Sequence, residues 1–335
     1  MRYVGLDVHW RTSTLCILDE NGGKVKTQTV RGSWEKLLAE LAKVPRPWSV
    51  CFEASCGYGV LHDRLRKLAA RVVVAHPGRL RLIFRSKRKN DRLDAEKLAK
   101  LLYLDEVPAA HVPSPAVREW RALIEFRRAL VDKRVRVKNA LRSLLRSLGL
   151  AMPRGLWTKK GLAWLAATDL PSGSAAVRRD LLLDELESLR RKVKRVTSEL
   201  DAIGASKASV AVLRTIPGVG PRTAEAVAAY VDDPHRFVRL RRVGSYFGLV
   251  PCQDASAGLN RLGRITREGP ATPRKYLIEA AWRVVQLNAV ARARFDRIAG
   301  GQRERRKIAL VATAHWLLRC MLSMLQTGEA WRWAA

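Results

Sequence analysis

Tyr3-Val4-Gly5-Leu6-Asp7-Val8 is the stretch of this sequence that decides its fold. The stretch is largely apolar apart from Asp7, and its pattern is typical of a β-strand. A carboxylate inside an apolar strand costs free energy unless it is paired or bound to a cation. The stretch therefore predicts the first strand of a sheet and marks Asp7 as a candidate functional residue.

The residues after this strand continue the pattern of an α/β domain. Residues 14–18 and 24–30 alternate as strands on either side of the turn signal Asn21-Gly22-Gly23, so three antiparallel strands are expected in a row. Periodicity then predicts a helix at about 34–42, a strand at 48–52 that ends at Glu53, a helix to about 69, a strand at 72–74 and a helix from about 91. The predicted order is βββαβαβα.

The rest of the chain is predicted to be mainly helical. Apolar residues seven apart at 123–144 and a cleaner seam at 182–203 indicate two long helices, each of which needs a partner helix in the same chain or in a second subunit. A polar, basic loop is expected at 252–273, with amphipathic helices after it. We therefore divide the chain into an α/β domain at 1–112, a helical, coiled-coil-like connector at 113–207 and a mainly α C-terminal domain at 208–335.

The composition predicts a polyanionic partner. Lys and Arg number 63 against 31 Asp and Glu, which gives a formal net charge of +32. Such an excess repels itself in a compact chain unless a polyanion screens it, so nucleic acid or an anionic membrane is expected. We find no apolar run of transmembrane length and no signal segment, which favours nucleic acid, no membrane and a cytoplasmic protein. The five Cys form no CxxC pair, and this argues against zinc knuckles.

Acidic residues in separate segments form the main candidate site. Glu53 ends the next core strand after Asp7, and Asp91 and Asp94 are three residues apart at the start of a helix, so both project from one face. Phosphodiester cleavage with two divalent ions needs several carboxylates that converge on one point. Taken singly, each residue has a simpler explanation, such as a helix-capping acid or a partner of one of the many Arg. His9 is the one histidine worth attention, because it shares a strand face with Asp7.

Several segments in the same order resemble the DEDD transposases of bacterial insertion sequences. At the N-terminal end these are Val4-Gly5-Leu6-Asp7-Val8-His9, the stretch at 52–59 that begins Phe52-Glu53, and the run at 89–99 that contains Asp91 and Asp94. At the C-terminal end they are Ile216-Pro217-Gly218-Val219-Gly220, Phe247-Gly248-Leu249-Val250-Pro251 and the segment at 263–269.

The resemblance implies a fold and a mechanism. It implies that the first domain is RNase H-like, similar to the Holliday-junction resolvase RuvC, and that Asp7, Glu53, Asp91 and Asp94 hold Mg²⁺ or Mn²⁺. It also implies that Ser256, in the C-terminal domain, is the nucleophile of a composite active site and forms a covalent link to DNA. Members of this family are guided by a structured bridge RNA that pairs with donor and target DNA. A bacterial, nucleoid-associated recombinase is therefore expected.

Basic and glycine residues supply the candidate contacts to nucleic acid. Residues 216–224 resemble a helix-hairpin-helix element, in which glycines let backbone amides approach a phosphate. The basic face of the first long helix and the basic loop could each grip a phosphate backbone, although both could also be solvated surfaces. The candidate residues are Arg127, Arg128, Lys133, Arg134, Lys138, Gly218, Gly220, Arg261, Arg264, Arg267, Arg274 and Lys275.

Two questions stay open at this stage. The seam at 182–203 suggests a homodimer or homotetramer in which the α/β domain of one chain meets the serine domain of another. The alternatives to a serine recombinase are a RuvC-like endonuclease that uses water as its nucleophile and a nucleic-acid-binding regulator without catalysis.

Overall fold

The computed structural model describes residues 1–83, 90–256 and 259–332, without the side chains of residues 256, 259 and 260. The chain forms two compact units, Met1–Arg118 and Glu119–Ala335. The long helix at Pro115–Ser147 begins in the first unit and continues in the second. The three-part division at residues 112 and 207 stays a prediction.

The N-terminal unit is built on a five-stranded mixed sheet. Its strands are β1 (Arg2–Val8), β2 (Thr12–Leu18), β3 (Lys24–Arg31), β4 (Trp48–Glu53) and β5 (Arg71–Ala75). They lie in the order β3-β2-β1-β4-β5. The first three strands are antiparallel, whereas β4 runs parallel to β1 and β5 runs parallel to β4. The mixed α/β prediction for this part of the chain is confirmed.

Helices cover both faces of this sheet. They are α1 (Trp34–Ala42), α2 (Tyr58–Leu65), α3 (Pro77–Ile83) and α4 (Asp91–Tyr103). Val4 and Leu6 of β1 are fully buried in a cluster with residues of α1 and α2, and the opposite face of the sheet packs against α3 and α4. The short helix α3 was not predicted, because its seven residues are too few to show a period.

Gly5 sets the distance between β1 and α4. A Cβ atom at this position would lie 2.0 Å from the Ala95 carbonyl oxygen and 2.4 Å from the Ala99 amide nitrogen, both of which are backbone atoms of α4. The helix therefore lies directly against the strand. Because residues i and i+2 of a strand share a face, Asp7 points to the same side of the sheet as Gly5 and α4.

We expect Gly5→Ala to destabilise the N-terminal unit by about 2–3 kcal/mol, since a methyl group at this site must push a helix backbone away from the sheet. Urea unfolding of the full chain measures the change. Gly173→Ala is the matched control, because nothing lies within 4 Å of a Cβ at the first residue of its helix. Equal stability of the two variants would contradict the proposed packing constraint.

The C-terminal unit is mainly helical, as predicted. After α5 (Pro115–Ser147) come α6 (Lys159–Ala167), α7 (Gly173–Ala205), α8 (Ala208–Arg214), α9 (Pro221–Val231), a 3₁₀ turn (Pro234–Arg236), α10 (Arg242–Tyr246), β6 (Pro251–Ser256), β7 (Leu259–Ile265), α11 (Ala271–Leu287), α12 (Ala289–Ala299) and α13 (Arg306–Thr327). The prediction of a loop at 252–273 was wrong in part, because β6 and β7 form an antiparallel hairpin. Their side chains are mostly exposed, so they lack the alternating apolar pattern that identifies a strand.

The apolar seam of α7 packs inside its own chain. The Arg127 Nε of α5 donates a hydrogen bond of 2.8 Å to the Thr197 hydroxyl of α7, which joins the two long helices. The buried seam residues lie in one hydrophobic cluster with Ile124, Leu130 and Val137 of α5; they are Leu186, Leu189, Val193, Val196 and Leu200. The seam thus has a partner helix without a second subunit, and it no longer supports the prediction of a homo-oligomer.

Among the residues that the structure describes, one helix is long and apolar enough to cross a membrane. It is α13, and half of its apolar window is buried inside the protein. Leu317, Leu318 and Met321 of α13 are fully buried in the main hydrophobic cluster of the C-terminal unit. We interpret α13 as a core helix of this unit.

Candidate metal centre

Asp7, His9 and Asp91 come together at the carboxyl end of β1. One ligand atom from each residue lies within 4.8 Å of the other two, which is the only such group of three among the residues that the structure describes. His9 Nε2 lies 3.6 Å from Asp7 Oδ1, and about a fifth of the Asp7 side chain is exposed. The group is therefore accessible to solvent and large enough to surround one cation.

The position of Asp91 follows from how α4 begins. Asn90 caps the helix, because its side-chain oxygen accepts a hydrogen bond of 3.0 Å from the Arg92 amide. Asp91 is the first residue of α4, and the contact at Gly5 holds the helix against β1. The first turn of α4 therefore lies beside the strand end that carries Asp7. The positive end of the helix dipole also favours a carboxylate at this position.

Glu53 lies on the same side of the sheet as Asp7. Gly5 pairs with Cys51 and Leu6 pairs with Phe52 in the parallel ladder of β1 and β4, and one step further along this register sets Glu53 across from Asp7. Neighbouring strands are about 4.8 Å apart. The Glu53 side chain is exposed, and it does not belong to the group of three. The backbone thus brings Glu53 beside the site, outside ligand distance of the group.

Asp94 lies one helical turn beyond Asp91 and has a cationic neighbour. Its Oδ1 lies 3.2 Å from the Nζ of Lys97, and about a third of its side chain is exposed. Residues three apart on a helix share a face, so Asp94 projects from the same side of α4 as Asp91. Like Glu53, Asp94 is not within the group of three.

His9 is the residue that the sequence-based ligand set omitted. Its position two residues after Asp7 was the available signal, because strand alternation gives the two side chains a common face. Carboxylate oxygens suit Mg²⁺ and Mn²⁺, and an imidazole nitrogen also suits transition metals such as Mn²⁺. The arrangement can hold a divalent cation at a strand end that is open to a substrate phosphate.

Ser256 is the last residue of β6, and its side chain lies outside the described part of the chain. Arg261 and Arg264 of β7 are exposed, as is Arg267, which has a positive φ of 56°.

Arg274 donates hydrogen bonds of 3.0 Å to the carbonyl oxygens of Phe247 and Glu268, and burial lowers its pKa. The Nζ of Lys275 lies 3.8 Å from Glu279. Arg274 therefore fixes the backbone at the base of the β6–β7 hairpin. The other four basic candidates of this region face solvent; they are Arg261, Arg264, Arg267 and Lys275.

The basic face of α5 is partly occupied by contacts within the protein. Arg127 binds Thr197, Arg128 Nε lies 2.7 Å from Asp132, and Lys138 Nζ lies 4.9 Å from the centre of the Trp157 ring. Burial, together with Arg134 and other cations nearby, lowers the pKa of Lys138. Lys133 is exposed and Arg134 is half-buried.

The glycine turn between α8 and α9 has a packing role at one position. Gly218 has a φ of +94°, and a Cβ there would lie 3.0 Å from the backbone nitrogen of Val284 in α11. Gly220 precedes α9, and a Cβ there would meet nothing within 4 Å. Only the Gly220 position therefore leaves open space beside the backbone.

Comparisons with known proteins identify the family of this chain. A sequence model of DEDD transposases of the IS110 type matches residues 4–149, and one of the transposase IS116/IS110/IS902 family matches residues 210–296. A probable family 20 transposase of Pseudomonas aeruginosa is 31% identical over 231 residues, which cover 68% of each chain. The chain belongs to the IS116/IS110/IS902 family of transposases.

Two further transposases are similar to most of this chain. The transposase for insertion sequence element IS1111A of Coxiella burnetii is 27% identical over 84% of this chain and 77% of its own length. The transposase for insertion sequence element IS1328 of Yersinia enterocolitica is 26% identical over 93% of this chain and 92% of its own length. The protein is thus a DNA transposase, and the DEDD type indicates a requirement for a divalent metal.

We expect Asp91→Asn to weaken Mn²⁺ binding to this transposase by at least about tenfold, because the amide removes one anionic ligand from the group. Calorimetric titration of the full chain without nucleic acid measures the affinity. Asp105→Asn is the control, since Asp105 lies just beyond the other end of α4, about 20 Å from Asp91, and pairs with Arg71. Equal binding by the two variants would exclude Asp91 as a ligand.

Proposed function

We propose that this transposase cuts and rejoins DNA at a magnesium- or manganese-dependent site that contains Asp7, Glu53, Asp91 and Asp94, with Ser256 as the nucleophile. The observation that carries the proposal is the convergence of Asp7 and Asp91, from segments more than eighty positions apart, at one strand end of a DEDD-type transposase. The insertion sequence that encodes the protein is the proposed substrate.

An RNase H-like, RuvC-like fold is the proposed classification of the N-terminal unit. The support is a mixed sheet in which β1 is antiparallel to β2 and parallel to β4, with the first carboxylate near the end of this central strand. Ligands of such sheets gather at the carboxyl ends of parallel strands, which is where Asp7 and Glu53 stand.

The carboxylates fit a hard divalent cation. Asp7 and Asp91 supply oxygen ligands within reach of one another, while Glu53 and Asp94 stand beside them on the same side of the sheet. We propose that Glu53 and Asp94 join this set when a cation binds. A bound divalent ion supplies positive charge for the scissile phosphate and for a nearby hydroxyl that becomes a nucleophile.

The serine step conserves the energy of the phosphodiester bond. The Ser256 oxygen bonds to phosphorus and its proton passes to a base, while the bond from phosphorus to one sugar oxygen breaks and that oxygen leaves with a proton. A hydroxyl of another DNA end then attacks the serine phosphoester and releases the serine. The strands can therefore be exchanged without an external energy source. Exposed Arg261, Arg264 and Arg267 near Ser256 in sequence suit the phosphate oxygens.

A bridge RNA and a homodimer or homotetramer complete the proposal. The net charge of +32 can accommodate RNA as well as two DNA segments, because an A-form duplex is bound mainly through its phosphates and 2′-hydroxyls. The carboxylates belong to one unit of the chain and Ser256 to the other, and the proposal brings them together on bound nucleic acid, within one chain or between chains of the assembly. We place this activity in the bacterial cytoplasm, at the nucleoid.

The principal alternative is an endonuclease that uses water instead of serine. It needs the same carboxylates, and it assigns the C-terminal unit to binding alone. The family match over residues 210–296, which includes Ser256, favours the serine mechanism. Membership of a transposase family also speaks against a regulator without catalysis.

We expect Ser256→Ala to lower strand transfer by at least about a thousandfold and to abolish the covalent adduct between protein and DNA, because alanine has no hydroxyl to form the ester. A nicked DNA substrate with a radioactive label, followed by denaturing electrophoresis, detects the adduct. Ser198→Ala is the matched control, since Ser198 is exposed on α7 and alanine favours a helix. Cleavage by Ser256→Ala at the rate of the control would establish the water mechanism.

We expect one discrete RNA from the ends of the insertion sequence to copurify with the full chain, expressed from its complete element. Sequencing the RNA after washes of increasing salt tests this, because contacts to phosphates alone dissociate steeply with salt. A heterogeneous mixture that leaves at moderate salt would exclude guidance by a bridge RNA, while the serine chemistry would still be judged by its own variants.

A further inference from the structure

A cavity of about 900 Å³ opens next to the candidate metal centre. It lies on the α1 and α2 side of the sheet, beyond the carboxyl ends of β1 and β4. The residues that decide its character are Trp10, Arg11, Trp34, Val60 and Arg64. We call this cavity the Trp10 pocket. It is large enough for a base with its sugar and phosphate, and its walls are mostly apolar.

Trp10 presents its indole ring to this pocket with little support from the core. Trp10 and Arg11 are the two central residues of the tight turn between β1 and β2, which the hydrogen bond from the His9 amide to the Thr12 carbonyl closes at 3.0 Å. The Trp10 side chain is 77% exposed, and its ring makes an edge contact with Trp34 at 5.8 Å between centroids. Leaving an indole in water costs transfer free energy, so a role in binding explains its position better than a role in folding.

The electrostatics of the Trp10 pocket favour an anionic ligand. Arg11 is exposed at the turn and lines the pocket. Arg64 and Glu35 also line it and pair with each other at 2.6 Å, so the net positive charge of the pocket comes from Arg11. Ser33 and Gly57, the capping residues of α1 and α2, also line the pocket, so the positive ends of two helix dipoles lie there. Aromatic rings beside cations are the combination with which proteins bind unpaired nucleotides.

The pocket and the candidate metal centre lie on opposite sides of the sheet, and His9, just beyond the carboxyl end of β1, belongs to both. His9 belongs to the group with Asp7 and Asp91, and it also lines the Trp10 pocket. Three residue steps of about 3.3 Å separate Asp7 from Trp10, so their backbone positions lie within about 10 Å of each other. A nucleic acid strand with a phosphate at Asp7 can reach Trp10 with a nearby base.

We propose that Trp10 stacks on an unpaired nucleobase of the DNA strand whose phosphate lies at the carboxylates, and that Arg11 binds the backbone next to that base. Trp10 is then a positioning residue that fixes the register of the strand relative to Asp7. This inference rests on the proposed function, because it assumes that the same DNA strand occupies the carboxylate site. An aliphatic peptide could pack against the apolar walls of the pocket, but unlike a nucleotide it has no anionic group to bind Arg11 or the N-terminal ends of α1 and α2.

The test compares substitutions of Trp10 in the full chain. Binding of a labelled 20-nucleotide single-stranded DNA of mixed sequence is measured by fluorescence anisotropy in EDTA, where no cleavage occurs. Trp10→Ala should weaken binding about 5- to 150-fold, the range found when one base-stacking aromatic is removed. Trp10→Tyr should restore most of the affinity, whereas Trp10→Leu should not, because leucine keeps apolar volume but has no π face.

A second measurement locates the contact. Photocrosslinking of the same DNA with a single 5-iodouracil should attach the base to Trp10, as read by mass spectrometry. Trp282→Ala is the control for the loss of a partly exposed tryptophan, since Trp282 lies in the other unit and contacts Phe295. Thermal unfolding confirms that the Trp10 variants keep their fold.

The outcomes separate this inference from the proposed function. Unchanged DNA affinity of Trp10→Ala, or equal rescue by Tyr and Leu, overturns the stacking role even if Asp7→Asn abolishes cleavage. A loss confined to an RNA strand of the same sequence overturns the assignment to DNA. If Trp10→Ala loses DNA binding while Asp7→Asn still cuts DNA, the pocket stands and the carboxylate mechanism fails.

Discussion

The close contact of α4 with β1 at Gly5 is the constraint on which the rest of the N-terminal unit depends. A glycine here lets backbone atoms of Ala95 and Ala99 approach to distances that any side chain would forbid. Because the helix is held at this point, its first turn lies beside the end of β1. Asp7 and Asp91 meet for this reason, and no direct bond between the two acids is needed to bring them together.

The acidic residues of the candidate site form a small anionic cluster in a chain of net charge +32, and the two have opposite effects on DNA. DNA is attracted by the basic excess over long range, yet a phosphate cannot approach carboxylates closely unless a cation lies between them. A divalent ion held by these acids would resolve this conflict, since it would neutralise them and present positive charge to the phosphate. With a cation bound, the proposed site would change from a cluster that repels DNA into the point where DNA approaches most closely.

The sequence predicted most of this arrangement because the decisive signals are local. Alternation identified β1, an apolar run identified β4, and the spacing of Asp91 and Asp94 put both on one face of a helix. The features that the sequence left open or predicted wrongly were non-local or lacked an apolar pattern. The partner of the α7 seam proved to be α5, which no periodicity can specify, and the exposed hairpin of β6 and β7 has no apolar face to reveal it. Nor could spacing decide that His9, rather than Glu53, lies within ligand distance of Asp7 and Asp91, because side-chain rotamers set that geometry.

The proposed carboxylate site and the proposed nucleophile lie in very different structural settings. The carboxylates lie on a five-stranded sheet with helices on both faces, where a rigid framework fixes charges before the substrate arrives. The serine lies on a two-stranded hairpin, which has marginal stability by itself. The hairpin is anchored at its base by close backbone contacts at two glycines. A Cβ atom at Gly248 or Gly269 would lie within 2.2 Å of the carbonyl oxygen of Glu268 or Tyr246, respectively. Charged groups lower an activation barrier most when they do not have to reorganise during the reaction. A nucleophile that reacts with successive DNA strands benefits instead from a flexible support. The proposed assignment of the carboxylates to one unit and the nucleophile to the other matches these opposite requirements.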